Sequence, residues 1–279
     1  MRKKTKRIKE LEAPLIEIQQ RTPEWFKARL GKFSASNAGV VIVGARGGVS
    51  AKREDYKNKI VDQTLDPEKC LAEILEEEQR KKPDSIQWGI DNEPKAFQAY
   101  EIESGNLVDE VGIYLDPTNE RICASPDGVL FSGDAIIEIK CPYSQNYHKE
   151  FINMKAAGIP VDDPAFLEKI KTLGTAGKSG YYNQMQLQMN CTETDRCDFV
   201  TFDPRLHEDE QLMIIPIQRN QEDIDKIIEG AEKLLQEHDD QVENRRKLRN
   251  EWAKVPPIYA KPRRAWPVRQ YLVWHIYNQ

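Results

Sequence analysis

The sequence has no apolar stretch approaching the roughly 18 residues that a membrane-crossing helix needs. It has no Cys-x-x-Cys pair. The five cysteines, Cys70, Cys123, Cys141, Cys191 and Cys197, are scattered without the spacing of a zinc site or an iron–sulfur cluster. Such an odd, unclustered set fits a reducing compartment, where thiols act as small apolar fillers. Internal repeats and low-complexity tracts are also missing. The basic beginning, Arg2 to Lys9, has no apolar segment behind it, so a cytoplasmic protein is expected rather than a secreted one. Positive charge is not in excess either: 41 Lys and Arg stand against 46 Asp and Glu, a net charge of −5. Total charge hides distribution, however. Basic residues gather at 2–9, 245–249 and 261–264, and acids at 66–78. The acidic balance therefore excludes neither a polyanionic partner nor a site built from carboxylates.

What is present is enough apolar material for a core. At 279 residues, 39% hydrophobic and 31% charged, the chain has the size of one large domain with an appendage. Its patterning suggests a basic arm over 1–13, a main domain over 14–240 and a basic, aromatic extension over 241–279. Thr22-Pro23-Glu24 reads as a helix start: a cap, a proline at the first helical position and an acid near the positive end of the dipole. The pattern predicts helices over Pro23–Leu30 and Asn37–Val43, the second capped from Ser34-Ala35-Ser36. A glycine-rich loop, Gly44–Ser50, surrounds Arg46. Helices follow at Lys52–Leu65, Pro67–Lys81 and Ile86–Ser104, the last distorted at Pro94. The period then changes to strands over Leu107–Leu115, Arg121–Phe131 and Ala135–Cys141. These read as a three-stranded meander with a tight turn at Ser132-Gly133-Asp134. Helices at His148–Ala157, Ala165–Leu173 and Tyr181–Asn190, strands at Arg196–Asp203 and Gln211–Ile217, and a long charged helix from Gln221 complete the pattern. The expected fold is α/β, a small mixed sheet flanked by helices.

The chemistry concentrates at Ser125-Pro126-Asp127-Gly128 and Ile136-Ile137-Glu138-Ile139-Lys140. Strand side chains alternate, so Glu138 and Lys140 point one way while Ile137 and Ile139 point into the core. Two charges on an otherwise apolar strand are costly when buried without partners. Across the turn Asp127 can lie alongside, which would set two carboxylates and an ammonium on one wall. Such a wall suits phosphodiester hydrolysis. Carboxylate oxygens hold Mg²⁺, the ion lowers the pKa of a bound water, and a lysine orients or deprotonates that water or offsets developing charge. The plainer alternative is an exposed strand face with an ordinary Glu–Lys pair, because E-x-K is a short pattern. Gln184, Gln186 and Gln188 read by themselves as a polar helix face. Their spacing puts Gln184 and Gln188 on one side of a helix and Gln186 on another.

An ordered series of short blocks runs along the chain. They are Trp25-Phe26-Lys27-Ala28-Arg29-Leu30-Gly31, Ser34-Ala35-Ser36, Trp88-Gly89 with Glu93, and Cys123-Ala124-Ser125-Pro126-Asp127-Gly128. Then come Glu138-Ile139-Lys140-Cys141-Pro142, Tyr181 with Gln184 and Gln186, and Phe202-Asp203-Pro204-Arg205. With these blocks in this order, the segment from near Ile18 to near Asp239 resembles the lambda exonuclease family, the YqaJ-type viral recombinases of the PD-(D/E)XK nuclease superfamily. The resemblance implies a restriction-endonuclease-like core. It implies a Mg²⁺-dependent exonuclease, with Mn²⁺ as a substitute, that degrades one strand of duplex DNA 5′→3′ from its ends. The resulting 3′ overhang would serve a single-strand annealing protein. Asp127, Glu138 and the backbone carbonyl of Ile139 are implied metal ligands, with Glu93 at a second metal position. Lys140 is the implied catalytic lysine, and Gln184 the implied holder of the attacking water or terminal phosphate. A 5′-phosphate pocket of Arg29, Ser36 and Ser125 is also implied, a set whose guanidinium and hydroxyl donors suit a phosphate. Arg46 matches an arginine near the duplex junction. A homo-oligomer, a ring-shaped trimer, is the family precedent. Taken locally, Glu93 reads rather as a helix-surface acid; the plainer alternative for Arg29 is a surface charge and for Ser36 only a cap.

Two rival functions share these residues. One is a restriction-like or structure-specific endonuclease on the same core; the other is a non-catalytic DNA-binding module on a nuclease scaffold. A Cas4-like iron–sulfur nuclease does not fit the cysteine pattern. Beyond residue 240, Arg245, Arg246, Arg263 and Arg264 are interleaved with Trp252, Trp266 and Trp274. That mixture suits nucleic-acid binding by charge and stacking, or an oligomer arm.

Overall fold

A computed structural model of the chain describes residues 15–43, 48, 51–174 and 180–253. The basic arm, Arg46 with most of its glycine-rich loop, and the extension beyond 253 lie outside the described residues. The chain divides into two units, 1–238 and 239–279; the sheets and the candidate site belong to the first. Among the described residues no helix is long and apolar enough to cross a membrane.

In chain order the elements are β1 (Leu15–Ile16), α1 (Pro23–Arg29), β2 (Phe33–Ser34), α2 (Lys52–Leu65), α3 (Pro67–Gln79) and α4 (Asp84–Ser104). Five strands follow: β3 (Val108–Asp109), β4 (Ile113–Leu115), β5 (Ile122–Ala124), β6 (Gly128–Leu130) and β7 (Ala135–Lys140). Helices α5 (Asn146–Ala156), α6 (Pro164–Ile170) and α7 (Gly180–Thr192) lead to β8 (Arg196–Phe202), β9 (Leu212–Gln218) and α8 (Gln221–Ala253). Thr22 caps α1 as its sequence predicts, accepting from the Trp25 amide at 3.3 Å. The segment after β2 differs from expectation. It is a 3₁₀ helix over Ala35–Val40 rather than an α-helix over 37–43, so Ser36 sits in its first turn and Ser34 at the cap position.

The expected three-stranded meander does not form. Each of its first two runs breaks in the middle, and the halves join different sheets. One sheet has the order β1-β4-β5-β2, the other β3-β6-β7-β8-β9. The breaks have local causes. Gly112 precedes β4 where the chain passes so close to β1 that a Cβ would stand 2.2 Å from the Ile16 carbonyl oxygen. Pro126 has no amide hydrogen to give a ladder, so the second run cannot continue as one strand. Gly128 then lets Val108 approach to 2.3 Å from where its Cβ would be. Both sheets are mixed, with parallel pairs β2–β5 and β7–β8 and antiparallel pairs elsewhere. The parallel step from β7 to β8 needs a crossover, which α5, α6 and α7 supply.

The main core joins Phe33, Tyr114, Phe151, Phe166 and Phe199 to the inner faces of α7 and α8. A second cluster packs Ala96 and Tyr100 of α4 on Ile137, Ile139, Val200 and Phe202. Helix α7 is buried along most of its surface, from Tyr182 through Thr192. Its polar side chains must therefore find partners inside the protein. His148 of α5 is another buried polar group. It bridges Thr201 Oγ1 of β8 at 2.7 Å and the Glu210 carbonyl at 2.9 Å.

Two stability predictions follow from this packing. Gly112→Ala should cost at least about 2 kcal/mol in denaturant unfolding, because the obstructing atoms are backbone and cannot swing away; an unchanged midpoint would show that the β1 crossing is looser than described. Burial holds the His148 imidazole below its ordinary pKa of 6.5. The unfolded chain therefore binds the proton more readily, and stability present above about 6.5 is lost as the pH falls through that value towards the folded pKa. Comparing unfolding midpoints at about pH 7.5 and about pH 5.5 should show a steeper fall for the native chain than for His148→Gln.

Candidate active site

The site is built around β7. Its odd-numbered residues direct their backbone groups towards β6, whose last pairing is Gly128 with Ile137. Beyond that point β6 has ended, and Asp127 replaces it. The Asp127 amide donates to the Ile137 carbonyl at 3.2 Å, and its Oδ2 accepts from the Ile139 amide at 2.6 Å. The Ile139 carbonyl lies on the same edge as its amide and has no β6 residue opposite it.

The even-numbered side chains face α7. Glu138 is 1% exposed. Its Oε1 accepts from Gln184 Nε2 and its Oε2 from Gln188 Nε2, both at 2.6 Å. Lys140 Nζ also donates to Oε1. The Lys140 ammonium lies 5.3 Å from the centre of the Tyr181 ring. Gln186 points elsewhere, donating to the Gln218 carbonyl and accepting from the Asn220 amide. The glutamine run thus divides as its helical spacing predicts.

Electrostatics bind the group together. Burial, then the adjacent Glu138 carboxylate, pushes Asp127 well above the usual carboxylate range; Lys140 and the Ile139 amide pull the other way, and Glu93 adds to the upward push. Burial disfavours the Lys140 charge, but Glu138 and Asp127 outweigh it and hold the ammonium above the ordinary lysine range. Burial and the Glu93 charge push the Cys141 thiol up to about 12, so it offers no thiolate.

Glu93 lies on α4, where its Oε2 meets Arg21 Nη2 at 2.8 Å. Arg21 holds a left-handed backbone with φ of 63°, unusual for a side chain with a Cβ. Arg21, Glu93, Ile139, Lys140 and Cys141, with Ile86, Gly89 and Ile90 of α4, line a cleft of about 200 Å³.

A second cluster grows from the parallel register of β2 and β5, which pairs Ser34 with Cys123. Two residues beyond these partners are Ser36 and Ser125, so neighbouring strand ends deliver both. Ser36 exchanges a hydrogen bond with Ser34 at 3.1 Å, and Asn37 Nδ2 donates to both hydroxyls. Ser125 Oγ donates to the Gly112 carbonyl at 2.6 Å and accepts from Trp25 Nε1 at 3.1 Å. The Arg29 guanidinium stacks 4.0 Å above the same Trp25 ring. The structure thus links Arg29 to Ser125 through Trp25. The Ser125 hydroxyl proton is already committed to Gly112, so as placed it is a strut.

Sequence reasoning did not assign Arg21, Gln188 or Trp25 a part in this arrangement. Gln188 carried a usable signal, its i+4 spacing from Gln184. Arg21 carried none, because a left-handed backbone at a non-glycine residue leaves no mark in the sequence.

The donor set fits a divalent cation. An ionised carboxylate offers roughly four lone-pair sites; three on Glu138 are taken, leaving one on Oε2. Asp127 has Oδ1 to offer, and the Ile139 carbonyl shares its edge. Crowded carboxylates that repel one another are the arrangement a cation relieves. Among the described residues, no three His, Cys, Asp or Glu side chains yet converge in metal-holding geometry. Each carboxylate is instead met by protein donors.

Residues 24–195 match the model of the YqaJ-like viral recombinase domain. None of the curated proteins compared with the chain matches it. Among solved structures, the alkaline exonuclease LHK-Exo from Laribacter hongkongensis is 31% identical with a TM-score of 0.63, the match covering 83% of this chain and 100% of that one. The same enzyme in complex with dAMP matches at 32% identity, with the same TM-score and coverage. A phage-related exonuclease from Haemophilus somnus 129PT shares the fold at 18% identity and a TM-score of 0.55, over 76% of this chain and 96% of that one.

Removing either amide donor should be felt through Glu138. Gln188→Leu leaves Oε2 without its hydrogen bond and should cost about 1–3 kcal/mol in urea unfolding. Gln184→Leu should cost less, because Lys140 still serves Oε1. Equal, negligible losses in both variants would mean that the buried carboxylate does not depend on α7.

Proposed function

The chain belongs to the YqaJ-like viral recombinase domain family, and on that premise we propose that it is a divalent-metal-dependent exonuclease that degrades one strand of duplex DNA from its 5′ end. The observation that carries this reading is the β7 wall, where Asp127, Glu138 and Lys140 meet on one edge with Glu93 in electrostatic reach. The likeness to an exonuclease solved with dAMP supports a deoxynucleoside monophosphate as the product.

Asp127, Glu138 and the Ile139 carbonyl would hold one Mg²⁺, with Glu93 at a second position, and the ion would supply a water of lowered pKa and charge to offset the phosphate. Glu138 is held in place by Gln184, Gln188 and Lys140. Lys140, beside Glu138, would orient or deprotonate the attacking water or offset charge on the scissile phosphate. Gln184, beside both, positions the attacking water or the terminal phosphate. Mn²⁺ fits the same oxygen ligands.

The 5′-phosphate falls to Arg29 and Ser36 first. A guanidinium fixed over Trp25 presents a preformed fork to a phosphate. Ser125 would contribute a hydrogen bond only by releasing Gly112. A 3′ overhang left for a single-strand annealing protein, a trimeric ring of subunits and action in the cytoplasm of a host cell complete the proposal by family precedent. Arg46 near the duplex junction belongs to the same proposal.

The test is digestion of linear duplexes with 5′-phosphate or 5′-hydroxyl ends, and of closed circles, with Mg²⁺ or chelator. Mononucleotide release from linear DNA, favoured by a 5′-phosphate and seen only with metal, is expected; cutting of closed circles would favour an endonuclease. Asp127→Ala and Glu138→Ala should abolish release, and Lys140→Ala should slow it by at least about 10²-fold. Near-normal activity in Glu138→Ala would remove the wall from the chemistry. Arg29→Ala should erode the preference for phosphorylated ends more than it slows cleavage, and full retention of that preference would place the phosphate pocket elsewhere.

A further inference from the structure

At the end of β7 the chain leaves the sheet through Cys141-Pro142-Tyr143. Tyr143 is 52% exposed, yet its backbone is firmly held. Arg205 Nη2 reaches the carbonyls of Tyr143 and Pro142 at 3.1 and 3.4 Å. The same guanidinium is clamped on Asp203, its Nε at 2.8 Å from Oδ1 and its Nη2 at 2.7 Å from Oδ2. Its flat face lies 4.2 Å from the centre of the Trp88 ring on α4. Tyr143 meets that indole edge-on, with ring centroids 6.2 Å apart and planes at 81°. The Trp88 Nε1 is buried and has no hydrogen-bond partner. One arginine thus ties the strand exit, the end of β8 and α4 together, and the assembly holds one aromatic ring outward. Ile86, Gly89 and Ile90, near Trp88 along α4, and Cys141, two residues before Tyr143, line the cleft that contains Lys140 and Glu93.

An exposed tyrosine alone means little. This one stands on a support that neither its burial nor the sheet requires, two residues along the chain from Cys141 of the cleft lining. Two residues separate it from Lys140, a reach of at most about 11 Å. That reach matches roughly one to three stacked nucleotides. We propose that Tyr143, backed by Trp88 and Arg205, is a stacking platform for a nucleobase of the strand whose phosphate enters the cleft. The proposal rests on the exonuclease reading and names a subsite within it. An enzyme that removes successive nucleotides must accept every base, and a π face does so where hydrogen-bond readout would discriminate. A ring already packed edge-on against Trp88 loses little freedom on binding.

The experiment measures binding of the full chain to 5′-phosphorylated duplexes labelled at the far end, with Ca²⁺ replacing Mg²⁺ so that affinity is read apart from cleavage. Tyr143→Ala should weaken binding about 10-fold, whereas Tyr143→Phe, which keeps the π face, should stay within about 2-fold. Ile102→Ala, 84% exposed at the other end of α4, is the control and should bind as the native chain does. An abasic site at one of the first few nucleotides should weaken the native chain by a similar factor and add nothing in Tyr143→Ala. Equal affinity of Tyr143→Ala and the native chain overturns the platform. So does a native chain indifferent to abasic sites at all these positions, a result that needs no variant to fold. Mg²⁺-dependent digestion of the same duplexes by the native chain separates the two readings. If no nucleotides are released, the exonuclease reading fails; if they are released while Tyr143→Ala binds normally, only the platform fails.

Discussion

A carboxylate buried to 1% exposure inside an α/β core is the constraint on which the site depends. Glu138 would be untenable as an isolated charge, since an ion removed from water costs several kcal/mol even after the protein relaxes. Three donors make it tolerable: the amides of Gln184 and Gln188 and the ammonium of Lys140. Those donors explain features that otherwise look unrelated. Helix α7 is buried along most of its length although its sequence is rich in glutamine. Two of those glutamines serve Glu138, and the third closes the β9–α8 junction at Gln218 and Asn220. The crossover between two parallel strands thus also supplies hydrogen-bond donors to the charged strand it connects.

The division into two sheets supplies the rest of the site. Had the runs at 107–115 and 121–131 formed unbroken strands, the Ser125-Pro126-Asp127 segment would have been a rung of a ladder. Broken at Pro126, it becomes a bridge between sheets. Ser125 then faces Gly112 and Trp25, while Asp127 caps the exposed edge of β7. The two halves of one short motif therefore serve two clusters, one with Arg29 and one with Glu138. Burial together with the Glu138 and Glu93 charges pushes Asp127 upward at this edge, a perturbation that functional sites show more often than packing alone does.

Much of this was legible in the sequence, and the reason is periodicity. Alternation along Ile136–Lys140 assigned Glu138 and Lys140 to one face and Ile137 and Ile139 to the other, and the contacts agree. Helical spacing separated Gln186 from Gln184 and Gln188 for the same reason. Helix α2 runs over Lys52–Leu65 as its pattern predicts. What periodicity cannot show is a change of sheet, because a strand that switches partners keeps its alternation. Pro126 and Gly112 marked the switch points, but a proline or glycine in a β run reads equally as an edge or a bulge. The 3₁₀ helix at Ala35–Val40 was read as an α-helix because it is too short for the two periods to diverge. Arg21, whose role depends on a left-handed backbone, was out of reach of any pattern.

The central claim is that the edge of β7 is a metal site, and anomalous diffraction from crystals grown with Mn²⁺ tests it most directly. The result expected is a peak within roughly 2–2.5 Å of Asp127, Glu138 and the Ile139 carbonyl oxygen, lost in Asp127→Asn crystals. A peak elsewhere, or none at this edge in a protein that degrades DNA with the same ion, would contradict it.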